Sequence, residues 1–195
     1  MNADTPAHLR HIVTDGSNRV EWMRARARGI TATDVAKLST PRSIDAAAWE
    51  KLHGGSFSGN AYTRHGKERE PEIAAWVLRE YGIDPSQALF HAESDMRHLA
   101  TPDGVALRSE GSLELAEIKT TNKAWRSIPR NYLRQIWWQQ YVLGAERTLM
   151  VWERHENFVP VGDPECRWID RDENEIAKLV HLAGQLIDTL YRRTS

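Results

Sequence analysis

The stretch Leu113–Lys119 (LELAEIK) constrains the fold more than any other part of this chain. Its alternation puts Leu113, Leu115, Glu117 and Lys119 on one face, while Ala116 and Ile118 point the other way. Apolar groups on both faces mark a central strand, which needs a layer packed on each side. The flanking sequence supplies those layers. Thr101-Pro-Asp-Gly104 turns into a strand at Val105–Leu107, and 108–112 is a hairpin turn. Helices are expected over 18–28, 33–38, 43–52 (stopped by Gly54-Gly55) and 60–81. Two more are expected, from Pro129 to about Leu143 and from a box at Asp170-x-x-Glu173 to about Arg192. Residues 82–100 read as irregular, with a short strand near Leu89–Ala92. Thr148–Glu153 and Asn157–Val161 read as a second hairpin. The expected class is α/β, a central mixed β-sheet flanked by α-helices, with 1–16 as an N-terminal arm and 17–195 as one domain.

Composition removes several classes. No apolar run approaches the roughly 18 residues of a membrane helix, and 1–16 has no basic-then-apolar leader pattern. Cys166 is the sole cysteine, which excludes a disulfide framework and a four-cysteine metal site. A reducing cytoplasm, with no membrane partner, is the expected setting. The net charge of -1 says nothing about nucleic acid, but its distribution does. Lys119, Lys123, Arg126, Arg130 and Arg134 follow one another with no acid between them. That run fits a phosphate-tracking surface or a solvated face.

Asp103 lies at a strand entrance, and Glu117 and Lys119 project from one face of the hairpin's next strand. A normally closed hairpin brings the three together. Two carboxylates, with the Ile118 carbonyl as a third oxygen, suit Mg²⁺. A lysine beside them can hold or deprotonate a water, or stabilise a phosphorane. The plain alternative is a Glu117–Lys119 cross-strand ion pair. Gly66, Glu70, Ile73 and Val77 share one helix face by their 4, 3, 4 spacing, so Glu70 points inward. An inward carboxylate needs a cation or donors. A metal held by Asp103 and Glu117 fits that need, and so does a salt bridge to Arg64 or Lys67.

Four motifs stand in order: W-x3-R…GITAT from Trp22, GNAYTRHGKEREPEIAAW from Gly59, ATPDGVAL…ELAEIK from Ala100, and IPRNYLRQIWWQQYVLGAER from Ile128. Together they resemble the YqaJ-like viral recombinases and the phage lambda exonuclease family, within the PD-(D/E)xK nucleases. The resemblance runs from about Trp22 to Glu153. It implies a restriction-endonuclease-like core and Mg²⁺-dependent hydrolysis of double-stranded DNA, with Mn²⁺ as a substitute. It further implies 5′-to-3′ resection of linear duplexes in phage-type recombination within a bacterial host cell. The resemblance also implies that the 3′ strand passes to a single-strand annealing protein and that the enzyme works as a trimeric ring. By motif match, Glu70, Asp103, Glu117 and Lys119 are the catalytic set, with Glu70, Asp103, Glu117 and Ile118 on the metal.

The same match makes Arg26 and Thr33 the grip on a terminal 5′-phosphate, with Arg28 as a rival to Arg26. A basic side chain beside a helix N-terminus suits an anion. The family's Y-x-x-Q-x-Q reads Tyr132-Leu-Arg-Gln135-Ile-Trp137 here. Gln135 is kept, Trp137 stands at the second position, and Gln139 lies one turn on along the same face. His65 reads as a structural histidine or as a residue reaching the site. Trp125, Trp137 and Trp138 read as core or as base-stacking groups. An endonuclease on the same fold and a DNA-binding protein that does not cut are the two alternatives.

Overall fold

The computed structural model describes residues 6–54 and 60–194. A 3₁₀ turn, Ala7–His11, enters β1 (Ile12–Thr14). Next come α1 (Arg19–Ala27), β2 (Ile30–Thr31), α2 (Ala32–Ala36), α3 (Pro41–His53) and α4 (Ala61–Tyr81). Four strands follow: β3 (Asp84–Pro85), β4 (Leu89–His91), β5 (His98–Ala100) and β6 (Gly104–Leu107). The chain ends with β7 (Leu113–Thr121), α5 (Arg130–Leu143), β8 (Arg147–Glu156), β9 (Val159–Pro160), β10 (Glu165–Asp170) and α6 (Glu173–Thr194).

Local chemistry sets most of these boundaries. Asn18 accepts from the Val20 and Glu21 amides to start α1, and Asn60 accepts from Thr63 to start α4. Thr31 and Asp34 form a capping box on α2, as do Thr40 and Ser43 on α3. Gly82 and Gly144 close α4 and α5 in the left-handed conformation.

The larger sheet runs β10-β8-β7-β6-β3. β7 and β8 pair in parallel and the other neighbours pair antiparallel, so the central sheet is mixed, with β7 inside it. A smaller sheet runs β1-β4-β5-β2. α4 covers one face of β7, where Ile73 and Val77 bury against Ala116, Ile118 and Val151. α5 packs between the two sheets, touching β7 and β8 on one side and β4 and β5 on the other. α2, α3 and α6 close over it with Val35, Leu38, Ala48, Leu179 and Leu186. Inside this layer Trp138 donates to the Leu99 carbonyl at 3.0 Å, tying α5 to the small sheet.

Several boundaries differ from the sequence reading. The arm is built into the sheet from residue 12, because β1 pairs with β4; residues 1–5 and Gly55 lie outside the described residues. The segment 82–100 holds β3 and β5 as well as β4, and β10 forms where no strand was expected. α6 is capped by Asp172, which accepts from the Asn174 and Glu175 amides at 3.0 Å, because Asp170 is held in β10 opposite Arg147. Trp137 and Trp138 are core side chains, and Trp125 packs on Trp152 and Tyr132.

Candidate active site

At one end of β7 a cavity of about 920 Å³ opens, and Glu70, Asp103, Glu117, Lys119 and Gln135 all line it. The hairpin does the positioning. The Asp103 amide donates to the Ala116 carbonyl at 3.0 Å, and its carboxylate accepts from the Ile118 amide at 2.6 Å. Asp103 is therefore clamped to the flank of β7 from both ends. α4 delivers Glu70 from the opposite side. It lies close because residue 66 is glycine: a Cβ there would sit 2.8 Å from Thr120 Oγ1.

Glu117 is 1% exposed and both its oxygens are engaged. Oε1 accepts from the Lys119 ammonium and Oε2 accepts from Gln139 Nε2 at 2.7 Å. Gln139 is itself fully buried. So the glutamine that touches the carboxylate is Gln139, while Gln135 faces the open cavity. Trp137 lies in the core with the Arg130 guanidinium over its ring.

The charges in this cavity oppose one another. Burial and the nearby Glu117 charge push the Asp103 carboxyl well above the usual carboxylate range. Burial raises Glu70 too, with Glu117 adding to it and Lys119 partly offsetting it. For Lys119 burial works against the charge, but Glu117 and Asp103 outweigh it and hold the ammonium above its ordinary pKa. At this wall three acids thus stand against Lys119 and Lys67. Among the described residues, no three His, Cys, Asp or Glu side chains are already gathered as metal ligands. Lys119 is the cation that Glu117 meets. Hard carboxylate oxygens are nonetheless a donor set that suits a divalent cation such as Mg²⁺ or Mn²⁺.

The far wall of the cavity is basic. Arg26 donates to Thr33 Oγ1 at 2.8 Å. Its guanidinium lies 4.9 Å from the centre of the Trp22 ring, and that of Arg19 lies 4.2 Å from it. Among the described residues, no carboxylate comes within 4.0 Å of the Arg26 guanidinium, although the side chain is only half-exposed. A half-buried guanidinium with no carboxylate in ion-pair contact, Asp34 and Glu117 acting on it only from a distance, is suited to an anionic ligand. Gly29 shapes this corner: a Cβ there would sit 2.3 Å from the Arg97 carbonyl. At the start of α2, Thr31 Oγ1 accepts from the Asp34 amide and the Asp34 carboxylate accepts from the Thr31 amide.

Other expected contacts lie elsewhere. Arg28 is exposed and lines neither this cavity nor a second one described below, whereas Arg19, which the sequence did not single out, lines this one. Lys123 and Arg126 are exposed on the loop after β7 and line neither of the cavities described. Arg130 pairs with Glu175 at 3.0 Å, and Arg134 donates to the Ala36 carbonyl at 2.8 Å. Those two arginines tie α5 to its neighbours, Arg130 while remaining exposed.

Comparison with known proteins follows the same lines. The profile of the YqaJ-like viral recombinase domain matches residues 21–146. Among curated protein sequences no significant match was found. Among solved structures, the chain is similar to an alkaline exonuclease (LHK-Exo) from Laribacter hongkongensis. The identity is 22%, covering 89% of this chain and 93% of that one, with a TM-score of 0.70. The same exonuclease in complex with dAMP matches at 23% identity over the same shares, again with a TM-score of 0.70. A phage-related exonuclease from Haemophilus somnus 129PT matches at 15% identity over 86% of this chain and 96% of that one, with a TM-score of 0.62. The mixed α/β architecture described above is the fold of these exonucleases.

Proposed function

This chain belongs to the YqaJ-like viral recombinase family, and from that premise we propose that it is a metal-dependent exonuclease acting 5′-to-3′ on linear duplex DNA. One observation carries the proposal: Glu70, Asp103, Glu117 and Lys119 line the same cavity as the Arg26–Thr33 pair. An acid-and-lysine centre suits phosphodiester hydrolysis, and an unpaired arginine at the other wall suits a terminal phosphate. Structural likeness to an exonuclease that holds dAMP supports a DNA strand as the substrate.

Asp103, Glu117 and Glu70 would hold the cation, with the Ile118 carbonyl as a further oxygen. When bound, a divalent ion polarises the scissile phosphate and makes a bound water more acidic. The protein's own contributions follow from the geometry. Gln139 fixes the rotamer of Glu117. The Ile118 amide fixes Asp103. Lys119, kept charged by its carboxylate neighbours, supplies a cation toward phosphate oxygens and stabilises the charge of a phosphorane. Arg26, with Thr33 as its hydrogen-bond partner, sets the register by gripping the 5′-phosphate. In recombination the remaining 3′ strand would pass to a single-strand annealing protein, and a trimeric ring would keep the enzyme on its duplex.

The test is a gel assay with Mg²⁺ on 5′-phosphorylated linear, 5′-hydroxyl linear and covalently closed circular duplexes, with EDTA and Lys119→Ala as controls. Loss of one strand from phosphorylated ends, with circles intact, is the expected result. Cut circles would point to an endonuclease, and full activity of Lys119→Ala would overturn the assignment of that residue.

A further inference from the structure

A second cavity, of about 520 Å³, lies beyond the catalytic side chains and shares Lys67, Glu70 and Lys119 with the first. Its outer wall is aromatic. The β8–β9 hairpin pairs Glu156 with Val159, leaving Asn157-Phe158 as a two-residue turn. Both residues have positive φ, 50° and 66°, and among the described residues they are the two non-glycines that do. Such turns favour asparagine and then glycine. Asn157 fits, whereas Phe158 is strained there.

The Phe158 ring gains little burial in exchange, since the residue is 41% exposed. It sits 4.9 Å from the ring of Tyr62, which is 56% exposed, and edge-on to His65 at 5.3 Å. His65 is braced from behind. Its Nε2 meets His155 Nδ1 at 2.6 Å, and His155 Nε2 meets Glu153 at 2.6 Å. Arg69 donates to both oxygens of that glutamate, at 3.0 and 2.9 Å. An exposed aromatic surface with a rigid base, on a strained backbone beside a catalytic lysine, is a platform for a flat ligand.

Resting on the nuclease reading above, we propose that this cavity seats the strand retained after cleavage, with Phe158 and Tyr62 stacking on its first bases. If Arg26 holds the terminal phosphate on one side of Lys119, the rest of that strand must leave on the other side, where this cavity lies. Thr120, Thr121 and Asn122 on its wall offer hydroxyl and amide groups to the sugar–phosphate backbone. Base–aromatic stacking tolerates any sequence, as processive cutting requires.

The test uses a 5′-phosphorylated duplex whose 5′ strand is left unpaired over its first ten nucleotides, with a phosphorothioate at the cleaved bond and 2-aminopurine at the first, second or eighth nucleotide on its 3′ side. Stacking quenches the probe. Quenching is expected at the first or second position and not at the eighth. It should be retained in Phe158→Tyr and lost in Phe158→Gly combined with Tyr62→Ala. On unmodified DNA that double variant should raise KM about tenfold with little change in kcat. The glycine suits the turn, so the hairpin persists, and circular dichroism checks the fold. If the parent protein cuts linear DNA while the double variant keeps both the quenching and the KM within twofold, the platform is wrong and the nuclease reading stands. If the parent cuts no DNA at all, both fall.

Discussion

Replacing Gln139 by leucine separates the hydrogen bond that positions Glu117 from the packing around it. The residue is fully buried, and its one hydrogen bond to Glu117 is 2.7 Å long. Leucine keeps much of the volume and removes the donor. A hydrogen bond to a charged acceptor is worth about 1.5–3 kcal/mol. If that free energy is spent on holding Glu117 in its working rotamer, kcat/KM falls roughly 10- to 150-fold at about 1.4 kcal/mol per decade. Glu117 keeps Lys119 as a partner and leucine also removes the buried, unpartnered Gln139 Oε1, so urea unfolding should stay within about 1 kcal/mol of the parent. Gln139→Glu sharpens the test by setting a second buried carboxylate against the first. One of the two then holds its proton above the ordinary range. That favours the folded state below the carboxylate's unfolded pKa and is lost as pH rises through the raised value. The glutamate variant should therefore be less stable at pH 8 than at pH 5, relative to the parent. Gln135→Ala is the contrast, because Gln135 faces the cavity rather than Glu117 and should change KM and leave the melting temperature alone. Activity of Gln139→Leu within threefold of the parent, in steady-state cleavage of linear duplex, would refute the positioning role.

Arg26→Ala should abolish the preference for 5′-phosphorylated over 5′-hydroxyl ends, a loss of about 10- to 100-fold on the phosphorylated substrate; Arg28→Ala should stay within about twofold in the same competition assay. Asp95 is held down to about 2 by its hydrogen bonds to Arg97. Its stabilisation is complete above about pH 4 and is lost as pH falls toward 2, and the half-exposed arginine limits it to no more than about 1 kcal/mol. Arg97→Ala should remove that contribution at pH 6 and leave stability near pH 2 unchanged, as thermal unfolding across pH would show. Phe158→Gly should lie within about 1 kcal/mol of the parent in urea unfolding, because relief of left-handed strain (about 1–3 kcal/mol) offsets the lost ring contacts (about 0.5–1.5 kcal/mol each). A loss above about 2 kcal/mol would make the ring part of the core.

Local pattern explains what the sequence revealed and what it hid. The period of β7 was legible over Leu113–Lys119 and the stripe of α4 over Gly66–Val77, and with them Glu70, Glu117 and Lys119. Asp103 was legible because the turn Pro102-Asp103-Gly104 must precede a strand. β3 has two residues and β5 has three, too short for any period to register. Asp170 and Asp172 are equally good caps on paper, and only the pairing of Asp170 with Arg147 decides between them. The run from Lys119 to Arg134 showed no partners in the sequence because those of Arg130 and Arg134, Glu175 and the Ala36 carbonyl, lie far off in the chain. Gln139 was visible as a helix-face neighbour of Gln135, but its bond to Glu117 needed the packing of α5 on β7.

The charge pattern ties these pieces into one argument. Burial, with the Glu117 charge added to it, pushes Asp103 and Glu70 up, while the Glu117 and Asp103 charges outweigh burial and push Lys119 up. The Glu117 charge acts on all three, so this wall favours added positive charge beside Glu117. At the opposite wall Arg26 has the reverse problem, since burial and the neighbouring Arg19 pull it below its ordinary value. One wall therefore calls for a cation and the other for an anion. A nucleic-acid end entering with a divalent ion brings both at once, the metal to the carboxylates and the terminal phosphate to Arg26. Binding of the two should then be mutually reinforcing: the apparent affinity for Mg²⁺ should rise when 5′-phosphorylated DNA is present, and Arg26→Ala should weaken that coupling. Titrating the metal by calorimetry with and without a phosphorothioate-protected duplex measures it, and equal metal affinities in the two titrations would show that the walls act independently.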